Sequence, residues 1–142
     1  MVRRRERGVT TMGVILLLAL GAGLYWLVVF GGAHWDNHEL KAVLRQAGNI
    51  SYQEQNDARV RDFILRRADD LFGYDTEEFG QRKRKLRVEF QPDDLVLERT
   101  KIPAAMRIRL NYSRTIQLPI IGGERQMYFA LDVEQDLSPV KY

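Results

Sequence analysis

His34 and His38 stand four residues apart in the run His34-Trp35-Asp36-Asn37-His38-Glu39. On a helix this spacing puts both imidazoles on one face, beside Asp36 and Glu39, and two such rings can bind zinc. The order HWDNHE is not the HExxH of a metalloprotease, however, and the chain has no third histidine. The remaining carboxylate groupings are the adjacent pairs Asp69-Asp70, Glu77-Glu78 and Asp93-Asp94. Neighbouring residues on a helix do not share a face, and Pro92-Asp93-Asp94 is turn chemistry, so none of these reads as an acid–base couple. Ser51, Ser113 and Ser138 lie in no nucleophile motif, and Gly122-Gly123 reads as a hairpin turn, not a phosphate loop. The absence of cysteine excludes disulfides, thiolate metal sites and cysteine nucleophiles. The expectation is a chain that is not an enzyme, with no catalytic residue, no metal site and no cofactor.

A basic run, Arg82-Lys83-Arg84-Lys85, could meet an anionic partner. Residues 74–85 show no periodicity and read as a loop with an acidic half and a basic half, so the run is expected to lie against its own acids, Glu77 and Glu78. Charge elsewhere is balanced. Of 22 Lys+Arg, four precede the apolar segment, leaving 18; of 19 Asp+Glu, Glu6 precedes it, also leaving 18. A neutral body is a poor match for a nucleic-acid backbone, so no nucleic-acid partner is expected.

The elements that would carry these residues begin with an anchor. Residues 12–30 form 19 positions without a charge. At a rise of ~1.5 Å per residue this is roughly 28 Å of helix, close to the ~30 Å core of a bilayer. A secretory signal has a shorter apolar core, ~7–15 residues. Tyr25 and Trp26 suit a membrane–water interface, and Trp35 is a candidate second interfacial anchor. Gly31-Gly32-Ala33 offers small residues to a signal peptidase, so a secreted soluble binding module released after Ala33 is the alternative. Arg3, Arg4, Arg5 and Arg7 face only Lys41 and Arg45 beyond the other end. Basic flanks stay in the cytoplasm, which predicts a cytoplasmic N-terminus. Three segments follow: a cytoplasmic basic tail over residues 1–8, a transmembrane helix over 9–33 and an extracytoplasmic α+β domain over 34–142. Ala19 and Gly23, with Gly21 and Ala22 between, give the anchor a small-residue face able to pack on another helix.

Past the anchor, Asp36 is placed to cap a helix running to Ala47, with Gly48 as its stop. Its apolar stripe is Leu40, Val43, Leu44 and Ala47. A second helix is expected from Asn56 or Asp57 to Phe72, ended by Gly73, with Val60, Phe63, Ile64, Ala68 and Leu71 inward. Asp62 can pair with Arg59 or Arg66 on its solvent face. Period-two patterning then begins: Leu86, Val88 and Phe90, a turn at Gln91-Pro92-Asp93-Asp94, a strand through Leu95-Val96-Leu97, and a break at Lys101-Ile102-Pro103-Ala104. A long strand places Met106, Ile108, Leu110 and Tyr112 on one face, and the last strand Met127, Phe129, Leu131 and Val133.

Pairing the last two strands apolar to apolar requires an odd index sum. Every such register sets Arg107 and Arg109 against even-numbered residues, which include Asp132, Glu134 and Asp136, so this arginine pair reads as sheet self-consistency. Arg114 falls on the apolar parity; a bulge, the sheet edge or burial would account for it. Ile120 and Ile121, in Leu118-Pro119-Ile120-Ile121-Gly122-Gly123, either cover a core edge or form an exposed apolar contact at a hairpin tip.

The first helix resembles the start of bacterial type IV prepilins and pseudopilins. Arg7-Gly8 is followed by Val9-Thr10-Thr11-Met12-Gly13 and the apolar run. The resemblance implies processing after Gly8, with Val9 as the mature start. It also implies a glutamate at the fifth mature position, where this chain has Gly13. The order of tail, anchor, two helices and small sheet with a Pro-containing connection at Leu118-Pro119 also resembles short, pilin-like bacterial single-pass membrane proteins. That likeness implies an α+β fold: an N-terminal transmembrane helix, two short helices and a small antiparallel sheet of three to four strands. The expected protein sits in the bacterial inner membrane and presents a periplasmic interaction domain to other membrane or envelope proteins, or to copies of itself. A pilin-like or secretion-system accessory subunit is the form this takes.

Overall fold

The computed structural model describes residues 10–139. Helix α1 runs from Thr11 to Ile50 without interruption. Helix α2 covers Asp57–Phe72, and strands follow at β1 Gly73–Glu78, β2 Gln81–Leu86, β3 Leu95–Lys101, β4 Ala104–Gln117 and β5 Glu124–Asp136. The fold is α+β, with two antiparallel sheets: the hairpin β1–β2 and the three-stranded sheet β3–β4–β5.

The unbroken α1 corrects the expectation of a separate helix capped by Asp36. A cap needs free N–H groups ahead of it, and at mid-helix these are already bonded to carbonyls one turn back. Asp36 instead lies on the buried stripe of α1 with Ala33, Leu40, Val43, Leu44 and Ala47. Gly48 does not stop the helix, which continues to Ile50. It belongs to the same buried stripe, where a β-carbon would stand 3.0 Å from Cβ of Gln135. Its missing side chain lets β5 approach the helix backbone. The chain turns at Ser51, whose hydroxyl donates to the Gly48 carbonyl at 2.6 Å.

Helix α2 matches its sequence signals. The Asn56 side chain accepts from the Ala58 N–H at 3.0 Å, and the Gly73 N–H closes the last turn on the Asp69 carbonyl. Val60, Ile64, Ala68 and Phe72 are buried, with Phe63 and Leu71 partly so. On the solvent face Asp62 pairs with Arg66, while Arg59 reaches Glu54.

Residues 74–85 are not a loop. They form most of the β1–β2 hairpin, turning through Phe79 and Gly80 at φ 52° and 75°. Two consecutive positive φ values are what a two-residue hairpin turn of this twist requires. The hairpin has no apolar alternation because neither face is covered by core. Its cross-strand partners are charged: Glu77 lies opposite Arg82 and Asp75 opposite Arg84.

The segment after β2 keeps the expected alternation, with Val88 buried and Leu86 and Phe90 partly covered. It makes one isolated bridge to the sheet, Glu89 with Ser113, beyond the Leu95–Leu110 pair at which β3 begins. A single 3₁₀ turn at Pro92–Asp94 then leads into β3.

β4 and β5 pair in an odd-sum register. Ile108 faces Val133, Leu110 faces Leu131 and Tyr112 faces Phe129, while Arg107 faces Glu134 and Arg109 faces Asp132. The apolar set packs under α1 and α2 with Leu40, Leu44, Ile64 and Phe72. The opposite face is open, and there Arg107 bonds Asp132 and Arg109 bonds Glu98. Two layers result, helices over one sheet face, with the N-terminal half of α1 projecting beyond both.

Candidate functional site

Residues 12–28 of α1 are bare apart from Gly13 and Tyr25, which are partly shielded. Leu16, Leu17, Leu18, Leu20, Leu24 and Val28 are all largely exposed, whereas the second half of the same helix is core. This helix is long and apolar enough to cross a membrane. Ala19 and Gly23 lie on the bare half, and nothing approaches within 4 Å of a β-carbon placed at Gly21 or Gly23. Gly8 and Val9 lie outside the described residues.

The bare and buried halves meet at a polar junction. Arg114, on the core face of β4 opposite Met127, donates from Nη1 to Oδ2 of Asp36. The Asp36 side chain is 6% exposed and that of Arg114 18%. Nη2 of Arg87 stands 4.0 Å from the other carboxylate oxygen. The strand runs through Arg114 in regular pairing, so no bulge expels it. Burial with a partner, not a bulge or an open edge, resolves its parity. Two largely desolvated opposite charges hold each other in place; without Arg114, Asp36 would keep only the more distant and more exposed Arg87.

Next to this pair, the Tyr112 hydroxyl donates to Asn37 Oδ1 at 2.8 Å. Burial raises the Tyr112 pKa; the Asp36 charge adds to the rise and Arg114 opposes it. The phenol therefore stays a proton donor at any physiological pH. Phe129 stacks on Tyr112 at 5.1 Å, and His34 meets Phe129 edge-on at 6.1 Å and Trp26 at 6.1 Å. His34 thus belongs to an aromatic seam between α1 and the β4–β5 hairpin. His34 and His38 are both exposed, and among the described residues no group of three His, Asp or Glu side chains is placed to hold a metal ion.

The hairpin tip is a different surface. Ile120 and Ile121 are 78% and 76% exposed, so they do not cover a core edge. Gly122 and Gly123 turn the chain with φ 77° and 96°, and the tip closes on itself through the Leu118 N–H to the Gly123 carbonyl and the Gly122 N–H to the Leu118 carbonyl. An open groove of about 380 Å³ lies beside β4 just beyond the start of β3, edged by Glu89, Asn111, Ser113 and Tyr128. There the Ser113 hydroxyl accepts from Gln126 Nε2 at 3.1 Å.

The basic run of β2 is matched by its own acids. Arg82 reaches Glu77 at 3.9 Å, Lys83 reaches Glu78 at 3.6 Å, Arg84 bonds Asp69 at 2.9 Å and Lys85 bonds Glu78. Those pairs lower the Glu78 pKa, chiefly through the Lys85 hydrogen bond, and raise that of Lys85.

Two linking residues escape the sequence reading: Asp36 as the buried partner of Arg114, and Arg99 altogether. Arg99, on the inward parity of β3 with Leu95 and Leu97, bonds Asp57 at 2.8 Å, the Ser51 carbonyl at 3.1 Å and the Glu54 carbonyl at 3.0 Å. The available signal was the inward parity of Arg114 and Arg99, since a cation on a core parity needs acceptors from elsewhere in the chain. No protein-family model matches this chain, and neither does any curated protein or solved structure.

Proposed function

We propose that this chain is a bitopic, non-catalytic membrane protein that holds a protein-contact domain outside the cytoplasm, as a pilin-like or secretion-system accessory subunit of the bacterial envelope. The observation that carries the reading is the division of α1. One continuous helix is bare and apolar over its first half and buried in the domain over its second. In water the bare half would expose a contiguous apolar surface far larger than soluble monomers tolerate; in lipid it is satisfied. The N-terminal arginines support a cytoplasmic start for the anchor, with the α+β part on the far side.

The secreted alternative, release after Ala33, is disfavoured by the same helix. Ala33 is 1% exposed and sits mid-helix, three residues before the buried Asp36. A chain starting at His34 would lose the buried Ala33 from the covered stripe of α1. The contact surfaces on offer are Ile120 and Ile121 at the hairpin tip and the small-residue face around Ala19 and Gly23. Partners of these surfaces are other membrane or envelope proteins or further copies of the chain.

Topology is tested by fusing alkaline phosphatase or a cytosol-only fluorescent protein to the C-terminus. The expected result is an active phosphatase and a dark fluorophore in the membrane fraction; the reverse pattern overturns the reading. Intact mass of the extracted protein tests the pilin-like part, which rests on the resemblance at Gly8 and Val9. A chain beginning at Val9 is expected, and one that retains Arg7 removes that part.

A further inference from the structure

The β4–β5 hairpin is aimed at the bare half of α1. Three contacts fix its direction. Gln135, paired with Met106, lies against Gly48. Further along β4, Tyr112 bonds Asn37. Further still, Arg114 bonds Asp36, and its guanidinium lies 3.5 Å from where a Gly32 β-carbon would be. Strand and helix therefore run in opposite directions, and each step towards the tip is a step back along α1. From Arg114 to the end of β4 at Gln117, a rise of ~3.3 Å per strand residue gives ~10 Å, equal to about seven residues of helix. Counted from Gly32, that reaches the level of Tyr25. The covered stripe of α1 extends as far: Val29 and Tyr25 are partly shielded, and the Tyr25 hydroxyl is buried. Leu118 to Gly123 project beyond.

We infer that this tip inserts Ile120 and Ile121 into the headgroup–acyl boundary of the bilayer that holds α1, so that the protein grips its membrane at two points. The inference rests on the proposed anchoring of α1. Four features fit a lipid occupant. The six tip residues carry no charge. Both isoleucines are exposed side by side. Two hydrogen bonds within the tip satisfy backbone groups that lipid could not. Glu124 and the exposed Arg125, at the first pairs behind the tip, mark where charge resumes, and an arginine there suits lipid phosphates. The Tyr25 and Trp26 rings stand at the same level and belong to an interfacial belt. The other hairpin gives a contrast: Phe79 at its tip is equally bare but is flanked by Glu78 and the basic run of β2.

The absence of cysteine makes a clean test possible. The full chain is reconstituted in phosphatidylcholine–phosphatidylglycerol vesicles carrying lipids spin-labelled near the headgroup or along the acyl chain. An environment-sensitive fluorophore is attached to Leu17→Cys, Ile121→Cys or Phe79→Cys, one at a time. The expected result is several-fold quenching and a blue shift at positions 17 and 121, with shallow labels most effective at 121 and no quenching at 79. Quenching at 17 without quenching at 121 overturns the inference, leaves the anchor intact and gives the tip to a protein contact. No quenching at either position overturns both the inference and the anchored reading. Because Ile121 is exposed and makes no core contact, its substitution does not confuse the outcome with unfolding.

Discussion

The core face of the three-stranded sheet carries an arginine near each end, and the two are held in different ways. At the end far from the bare half of α1, Arg99 gathers two backbone carbonyls and a half-exposed carboxylate, and so fixes the connection between α1 and α2. At the near end, Arg114 meets one carboxylate, Asp36, that is almost wholly buried. Water can replace part of what Arg99 supplies. It cannot reach Asp36 in the same way. The first arrangement tidies a loop, whereas the second bolts a strand to the stem.

The largest effect should come from breaking the bolt. Arg114→Met removes the direct partner of the buried Asp36 carboxylate, leaves it only Arg87 at 4.0 Å, and is expected to cost about 3 kcal/mol, read from urea unfolding of the solubilised full chain. The double variant Asp36→Leu/Arg114→Met should recover most of that loss, since a packed apolar pair of similar volume is often no worse than a buried ion pair. Failure of the double variant to recover would mean that the pair does more than compensate its own burial. Arg99→Met should cost less, about 1.5–3 kcal/mol for its charge-assisted bonds, and should speed amide exchange over residues 51–57 ahead of the sheet. Tyr112→Phe, beside the bolt but neutral, is expected to cost about 1 kcal/mol.

The smallest effect belongs to the open face and has a pH signature. The Arg107 hydrogen bond, with its charge, holds the Asp132 pKa below its ordinary 3.8. The folded state therefore binds its proton less readily than the unfolded chain. The contribution is complete above the unfolded pKa and is lost as pH falls through the folded one. Arg107→Gln should differ least from the parent at the acid end and fall slightly behind it from about pH 4 upward, as acid titration of the unfolding midpoint would show.

How far these regions could be read from sequence follows from what covers them. β4 and β5 were legible because one face is buried. Alternation from Met106 to Tyr112 and from Met127 to Val133 fixes the parity, and the arginines and acids opposite agree with it. The β1–β2 hairpin was illegible because both faces meet solvent, so cross-strand charge pairs replaced the apolar rhythm that marks a strand. Asp36 misled for a different reason. An aspartate ahead of an amphipathic run has the same local pattern whether it caps a helix or lies within one. Only Arg114, remote in sequence, decides between them, and its inward parity was the visible half of that pair. The exposure of Ile120 and Ile121 could not be decided locally either, since a covered and a bare hairpin tip share the same residues.

The continuity of α1 has a geometric consequence. With ~100° of turn per residue, the azimuth of the folded domain is locked to that of the bare apolar half of α1. One residue added between Phe30 and Gly32 would swing the domain by more than a quarter circle about the stem, and with it the direction in which every outer surface looks. Tilt is coupled in the same way, because a single rod carries it from the bare half to the sheet. Whatever grips the Gly21–Gly23 side of the rod thereby also sets which way the domain points.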